Sequence, residues 1–338
     1  MPPKRPSAMP ASLDLIGEHA SIVELRRLVL RVARSKANTV LIYGETGTGK
    51  GLVARMLHQH SERNAAEFID INCAAIPGNL LESELFGYER GAFTGAAAKK
   101  QGLIEAANGG TMFLDEIREL DPVMQAKLLT LLDTRRFRRL GSVEPISVDV
   151  RFIAATNRIL LTEVREGKFR DDLYYRLQVI AINIPPLRER GDDIFLLTER
   201  FLAKYNAQYG SAVRRLEPEV ERIFRAYAWP GNVRELENLL ERICILADHD
   251  RIEVAQLPQR IVREARAAPA TQAAAASSNA TALGYLEATS QYQRGLITQA
   301  LAQADGHLGA AAARLSLTRH ALRHQMQKLG IQVPRDDA

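Results

Sequence analysis

Between Leu13 and Ile184, short apolar runs alternate with longer stretches whose apolar residues recur at helical spacing. The runs Thr39–Tyr43, Phe68–Asn72, Thr111–Leu114, Val150–Thr156 and Val179–Ile184 are β-rich and too short for helices, so strands are expected there. One amphipathic helix, Ile22–Ala33, is expected before the first of them. Alternation of this kind builds an α/β layer around a mainly parallel sheet. From Asp192 to Arg263 the strand signals vanish, while Ile194, Leu197, Phe201 and Leu202, and later Leu236, Leu239, Leu240 and Ile243, keep helical spacing. An all-helical second unit follows the sheet. Residues 264–283 are rich in Ala, Ser and Thr, with almost no bulky side chain to offset the entropy of ordering, and read as a flexible linker. Helical spacing resumes over Tyr285–Val333, and no internal repeat is present. The expected divisions are a tail at 1–12, an α/β core at 13–187, a helical unit at 188–263, the linker at 264–283 and a helical C-terminal domain at 284–338.

Composition narrows the class. In 338 residues, 46% are hydrophobic and 25% charged, enough to bury several cores, and no apolar run nears the roughly 20 residues of a membrane helix. The net charge of +5 permits nucleic-acid contact without locating it. Cys73 and Cys244 belong to no metal-binding cluster and read as buried, reduced thiols, which fits the cytoplasm. The proline-rich start, Met1–Ala11, lacks the apolar stretch of a secretory signal.

The strongest local chemistry is Gly44-Glu45-Thr46-Gly47-Thr48-Gly49-Lys50, set between the strand TVLIY and the helical pattern LVARMLHQH. Glycines let successive N–H groups turn inward to phosphate oxygens, the next helix adds its positive end, and Lys50 supplies charge for the outer phosphates. Where such loops usually have Ser or Thr for a magnesium ion, Gly51 stands here, so the metal is expected on Thr48, water or acids elsewhere. The run GGTMFLD ends in Asp115 and Glu116, a strand tip suited to placing one carboxylate near the metal and the other where it polarises an attacking water. Asp-Glu is also a common helix start, and only its partnership with the phosphate loop favours catalysis. VRFIAATN ends in Asn157, suited to sensing a terminal phosphate.

In order, these motifs resemble the AAA+ ATPase activators of sigma-54 RNA polymerase, the bacterial enhancer-binding proteins, over about Leu15 to Ile331. The most specific match is Gly91-Ala92-Phe93-Thr94-Gly95-Ala96, the hexapeptide with which that family contacts sigma-54. The resemblance implies an AAA+ P-loop core with a parallel sheet, an α-helical lid and a C-terminal all-α helix-turn-helix domain. It implies ATP hydrolysis with Mg²⁺ and self-assembly into a ring, as a hexamer. Asn72 would restrain the catalytic Glu116, Arg170 and Arg176 would be arginine fingers offered to a neighbouring subunit, and Arg234 in WPGNVREL would be a second sensor. Read from the residues alone, without the family match, Arg170 and Arg176 are better taken as exposed helix arginines paired to Asp171, Asp172 or other acids. The basic run Asp133–Ser142 falls at the family's second mobile loop, as either a solvated face or a promoter-DNA contact.

The last segment reads as a short Ala-rich helix, a Ser-Leu-Thr turn and a second helix capped by Thr318. Ala321, Leu322, Met326 and Leu329 are expected inward and Arg319, His320, Arg323 and His324 outward, and these four with Thr318 and Lys328 are the DNA-contacting residues expected. Gly306–Pro334 has four basic residues and no acidic one, and resembles the Fis-like domain that ends many family members. A dimerisation hairpin is the alternative. The partners expected are therefore sigma-54 and its polymerase holoenzyme, double-stranded enhancer DNA and other copies of the chain, with no membrane. The short stretch before the first strand resembles the phage-shock type of activator, which lacks an N-terminal regulatory domain, so control by a separate inhibitor or partner activator protein is expected. The rivals are a DNA-binding scaffold that uses nucleotide only to oligomerise, and an AAA+ unfoldase.

Overall fold

The five expected strands form one fully parallel sheet, in the order Phe68–Asn72, Thr111–Asp115, Arg151–Thr156, Thr39–Tyr43, Ala181–Asn183. The computed structural model describes residues 14–246 and 249–267 continuously, and 294–295, 297–304, 307–315, 322–323, 326, 329 and 331 beyond them. Four strand ends, counted in chain order, differ from the sequence reading. The third reaches Asp115, the fourth starts at Arg151, and the fifth shrinks to Ala181–Asn183, where only the edge of Thr39–Tyr43 offers it partners.

Strand alternation divides the core. In Thr39–Tyr43, Val40 and Ile42 join Ile22, Val29, Val53 and Leu57 on the face covered by helices Ala20–Ala33 and Lys50–Gln59. Leu41 and Tyr43 face the other way, onto Leu81, Leu85, Leu128 and Leu131 from helices Gly78–Phe86 and Pro122–Thr134. Burial on both faces explains why the central strands read as continuous apolar runs.

Four helices, Asp193–Tyr209, Pro218–Ala226, Asn232–Leu246 and Gln259–Ala267, enclose a second core around Trp229, which is 1% exposed. Its indole N–H donates to Phe224 O at 2.9 Å, and its ring meets Phe224 and Tyr227 edge-on. The last of these helices corrects the expected boundary: it runs past Arg263 to Ala267, and Ala265 is buried in the lid core. Residues 268–283 of the expected linker lie outside the described residues. Both cysteines are free and buried, and burial pushes the Cys73 thiol up to about 12, so it stays protonated and unreactive.

Contacts divide the chain into Met1–Pro269 and Ala270–Ala338. In the second unit, helix Leu308–Arg314 packs a small core in which Leu322, Met326 and Leu329 are buried, as their spacing predicts. Among the described residues no helix is long and apolar enough to cross a membrane.

Leu41 is wholly buried in the strand Thr39–Tyr43, so Leu41→Ala is expected to destabilise the sheet-bearing unit by about 2–5 kcal/mol. Val143→Ala, at a residue 84% exposed, is expected to stay within about 0.5 kcal/mol. Denaturant midpoints of the two variants check the contrast.

Candidate nucleotide-binding site

The strand Thr39–Tyr43, between Arg151–Thr156 and the edge strand Ala181–Asn183, ends at Tyr43 and the chain turns through Gly44–Gly49 into helix Lys50–Gln59. Gly47 and Gly49 have φ of 80° and 105°, backbone that favours glycine. Among the described residues no side chain caps the helix at Gly49, which leaves its N-terminal end available to an anion. Lys50 is only 7% exposed, and its ammonium donates to Gly44 O at 3.1 Å.

That ammonium also lies 3.6 Å from Glu116 Oε1. The other oxygen, Glu116 Oε2, is buried without a hydrogen-bond partner among the described residues. Glu116 holds a left-handed backbone, φ 52°, which a non-glycine residue adopts only when its surroundings impose it. Asp115 closes the strand and accepts from Glu116 N at 3.0 Å through Oδ1. On the adjacent strand Asn72 is in register with Asp115, but its Oδ1 accepts from Ala74 N at 2.9 Å, and no bond to Glu116 is formed among the described residues. Asn157 donates through Nδ2 to Thr46 Oγ1 at 3.3 Å, and its own Oδ1 is buried with no partner among the described residues.

The expected share of Thr48 in metal binding is not supported. Its hydroxyl donates to Glu45 O at 2.8 Å and the residue is 1% exposed, so it braces the loop from within. Asp115 remains as the carboxylate for a cation, and no cluster of three or more His, Cys, Asp or Glu is placed to hold a metal among the described residues. That donor set fits Mg²⁺, which keeps several waters and binds through one or two carboxylates together with substrate phosphates.

The lid closes the cleft. Gly231 O stands 2.1 Å from where a Cβ on Gly47 would be, and Arg234 N donates to Gly47 O at 3.3 Å. Asn232, fully buried, accepts from Leu187 N at 2.8 Å and donates to Glu45 Oε2 and Thr46 O, both at 3.1 Å. Glu45 is clasped by Arg188 through two bonds of 2.6 and 2.9 Å, and that pairing holds its carboxyl below the usual range. Arg190, 1% exposed, donates to Thr48 O at 3.1 Å, and burial lowers its guanidinium to about 10. Between loop and lid lies a cavity of about 690 Å³ lined by Gly47–Gly51, Asn72, Asp115, Glu116 and Arg234. Its apolar side, Ile16, Leu197, Phe201 and Val233, suits a flat base. Sequence reading did not assign these four, nor Arg188, Arg190 and Asn232, to the site. Leu197 and Phe201 carried only a helical-periodicity signal.

Arg170 and Arg176 line no part of this cavity. Arg170 pairs with Asp172 through bonds of 2.7 and 3.0 Å, while Arg176 lies 2.9 Å from Asp133 Oδ1 and donates to Leu132 O at 3.0 Å. The hexapeptide forms an exposed loop closed by Gly91 N donating to Ala96 O at 2.9 Å. Thr94 is exposed at its turn, Phe93 is 46% exposed with its edge to Tyr88, and Ala96 is buried. Of the DNA-contacting residues expected, Arg323 is described and exposed; Thr318, Arg319, His320, His324 and Lys328 lie outside the described residues.

A phosphate loop after the strand Thr39–Tyr43, an acid pair on the next strand but one and a helical lid over the cleft define a P-loop nucleotide-binding fold of the AAA+ class. Comparison with known proteins refines this. Residues 15–183 match the sigma-54 interaction domain, 188–274 the AAA+ ATPase lid domain and 290–329 the Fis-family bacterial regulatory protein. The chain belongs to the family of sigma-54-interacting AAA+ regulators. It is 44% identical to the nitrogen fixation protein AnfA of Azotobacter vinelandii over 94% of its length, and 44% identical to the response regulator PilR of Pseudomonas aeruginosa over 97%. It spans 58% of AnfA and 73% of PilR. The crystal structure of NtrX from Brucella abortus in complex with ATP superposes with a TM-score of 0.70 and 31% identity, covering 94% of this chain and 70% of that one.

Gly47→Ala combines a left-handed Cβ with the Gly231 carbonyl, and the backbone strain alone is of order 1–3 kcal/mol. Nucleotide affinity is expected to fall about tenfold or more. At Gly51 the added Cβ would meet only Phe113 at 3.8 Å, so Gly51→Ala should bind nearly as well as the parent in the same titration with a fluorescent nucleotide.

Proposed function

We propose that this chain is a transcriptional activator that hydrolyses ATP between the subunits of a ring, a hexamer, and drives sigma-54 holoenzyme from closed to open promoter complex. Its Fis-type domain holds it on enhancer-like duplex DNA, through Arg323 and the neighbouring residues 318–320, 324 and 328, and its partners set the cytoplasm as its place of action. The observation that carries the reading is the Lys50–Glu116 pair at 3.6 Å, with Glu116 Oε2 unpartnered among the described residues, in a cavity that runs from the phosphate loop to the lid.

The chemistry follows from those positions. Loop N–H groups and Lys50 neutralise the phosphates, and Mg²⁺ held by Asp115 would add charge neutralisation there. Glu116 Oε2 accepts a proton from water as it attacks the terminal phosphorus, whose bond to the bridging oxygen breaks to leave ADP. Asn157 senses the terminal phosphate and Arg234 follows the nucleotide from the lid. Asn72 takes its restraining role by leaving Ala74 for Glu116. Arg170 and Arg176 serve the neighbour's site by exchanging Asp172 and Asp133 for phosphate; exposed ion pairs of this kind contribute only about 0–1 kcal/mol and yield readily. The loop Gly91–Ala96, exposed at Thr94, contacts sigma-54.

Glu116→Gln keeps the shape and removes the base, so ATP binding should persist while turnover drops about 100-fold or more. Parent-like turnover by this variant in assembled protein would refute the assignment. Thr94→Ala should behave in the opposite way, retaining hydrolysis and losing open-complex formation at a sigma-54 promoter. Mixing Arg176→Ala with Lys50→Ala subunits should restore some hydrolysis, because one mixed interface pairs an intact finger with an intact loop; no rescue means that both defects act within a single subunit.

A further inference from the structure

The basic run Asp133–Ser142 is the motif that the nucleotide chemistry leaves unused, and the structure sorts its four arginines. Arg139 is turned inward: it donates to both carboxylate oxygens of Glu105, at 2.7 and 2.8 Å, and to Glu89 Oε1 at 2.8 Å. Arg135 lies 3.7 Å from Asp149 Oδ1. Arg136 and Arg138 are exposed, and among the described residues neither guanidinium has a hydrogen-bond or ion-pair partner.

Strand geometry explains the difference. Arg136–Phe137 pairs antiparallel with Ile146–Ser147, and Phe137, only 6% exposed, packs its ring 5.9 Å from that of Phe86. The residues on either side of an inward Phe point outward together, about 6.7 Å apart along the chain. They flank a groove of about 680 Å³ that Lys127 also lines, although Lys127 itself is paired with Glu82. Glu144 is the exposed acid of this hairpin and Asp149 is taken by Arg63 and Arg135. The hairpin is bonded to the base of the hexapeptide loop: Glu89 N donates to Leu140 O and Leu140 N to Gly87 O, both at 3.0 Å. Arg90, exposed and likewise without a partner among the described residues, directly precedes the hexapeptide.

We propose that Arg136 and Arg138, with Arg90, form a second DNA-contacting surface that grips the phosphate backbone of duplex DNA beside the hexapeptide loop. Guanidinium forks match phosphate oxygens, and the outward spacing of the pair is comparable with that of successive phosphates on one strand. An acidic protein partner is the poorer fit. Protein interfaces depend on buried apolar anchors, and the side chain between the two arginines is turned into the core. Backbone recognition needs only charge and fork, and it reads no sequence. The surface rests on the family assignment and is separate from the hydrolysis reading.

The test uses the full chain with Arg136→Gln and Arg138→Gln together, titrated with a short duplex of random sequence across a range of salt. Two lost phosphate contacts should weaken binding several-fold and make the slope of log affinity against log salt shallower by about 1.8 per protomer. ATP turnover without DNA should match the parent. The Lys pair, Arg136→Lys with Arg138→Lys, should restore most of the slope, because it keeps the charge. Affinity and slope equal to the parent's, or weaker binding with an unchanged slope, would overturn the proposal. So would loss of sigma-54 capture while binding to the duplex is untouched, since the surface would then serve a protein.

Discussion

The site exists because one buried amide joins two layers that have separate cores. Asn232 begins a lid helix, yet its side chain ends among the backbone of the phosphate loop and the turn at Leu187. Three of its bonds cross between segments far apart in sequence, and a fourth, to Pro230 O at 3.5 Å, is local. A buried amide that lost them would carry its full desolvation penalty of about 1–3 kcal/mol, so lid and loop are held in one arrangement. Gly47 is the counterpart of that bond. Any larger residue would meet Gly231 O before the amide reached Thr46, so the tight approach and the glycine imply each other.

How much of this could be read from sequence depended on the range of the interactions. The phosphate loop, the five strands and the acid pair are local patterns, and the structure has them close to where the periodicity and motifs put them. Leu322, Met326 and Leu329 were legible for the same reason. What escaped was long-range: Arg188 meets Glu45 across 143 positions and Asn232 meets it across 187, and nothing in either neighbourhood marks the pairing. Arg190 looks like one arginine among many until the fold wraps it in carbonyl groups. The helix end at Ala267 was missed because Glu, Ala and Arg suit a linker and a helix alike, and only packing of Ala265 into the lid decides. Thr48 was one of the alternatives offered for the metal, and sequence could not tell that its hydroxyl turns back onto Glu45 O.

Charge shows the same division. By count the protein is mildly basic, and by position its arginines do several different jobs. Arg139 and Arg188 are fastened to carboxylates, Arg190 is dissolved among backbone oxygens, and Arg170 and Arg176 rest on Asp172 and Asp133. Within one protomer Lys50 and Arg234 are the cations that reach the cavity from the loop and the lid tip, with Arg190 behind the loop and Arg55 opposite Asp70. Phosphoryl transfer spreads negative charge over three oxygens, and the proposed fingers from a neighbour supply what the protomer's own loop does not.

The parallel sheet ties that chemistry to the rest of the molecule. Because every strand runs the same way, the phosphate loop, Asn72, Asp115 and Asn157 all emerge at the strands' C-terminal edge, where a parallel sheet opens a crevice for ligand. From Asn72 the chain makes one short turn, Cys73–Ala75, and then enters helix Gly78–Phe86, whose end leads into the strand Gly87–Tyr88 and the hexapeptide. That helix is anchored by Leu81, Leu85 and Phe86 in the same core as Met112 and Leu114 of the acid-pair strand. A close-packed helix of this kind moves as a body rather than bending. In the proposed cycle, a change in what Asn72 holds at the phosphate end would therefore tilt the hexapeptide end. Arg139 binds the second loop to both Glu89 and Glu105, so the hexapeptide and the basic hairpin would shift together.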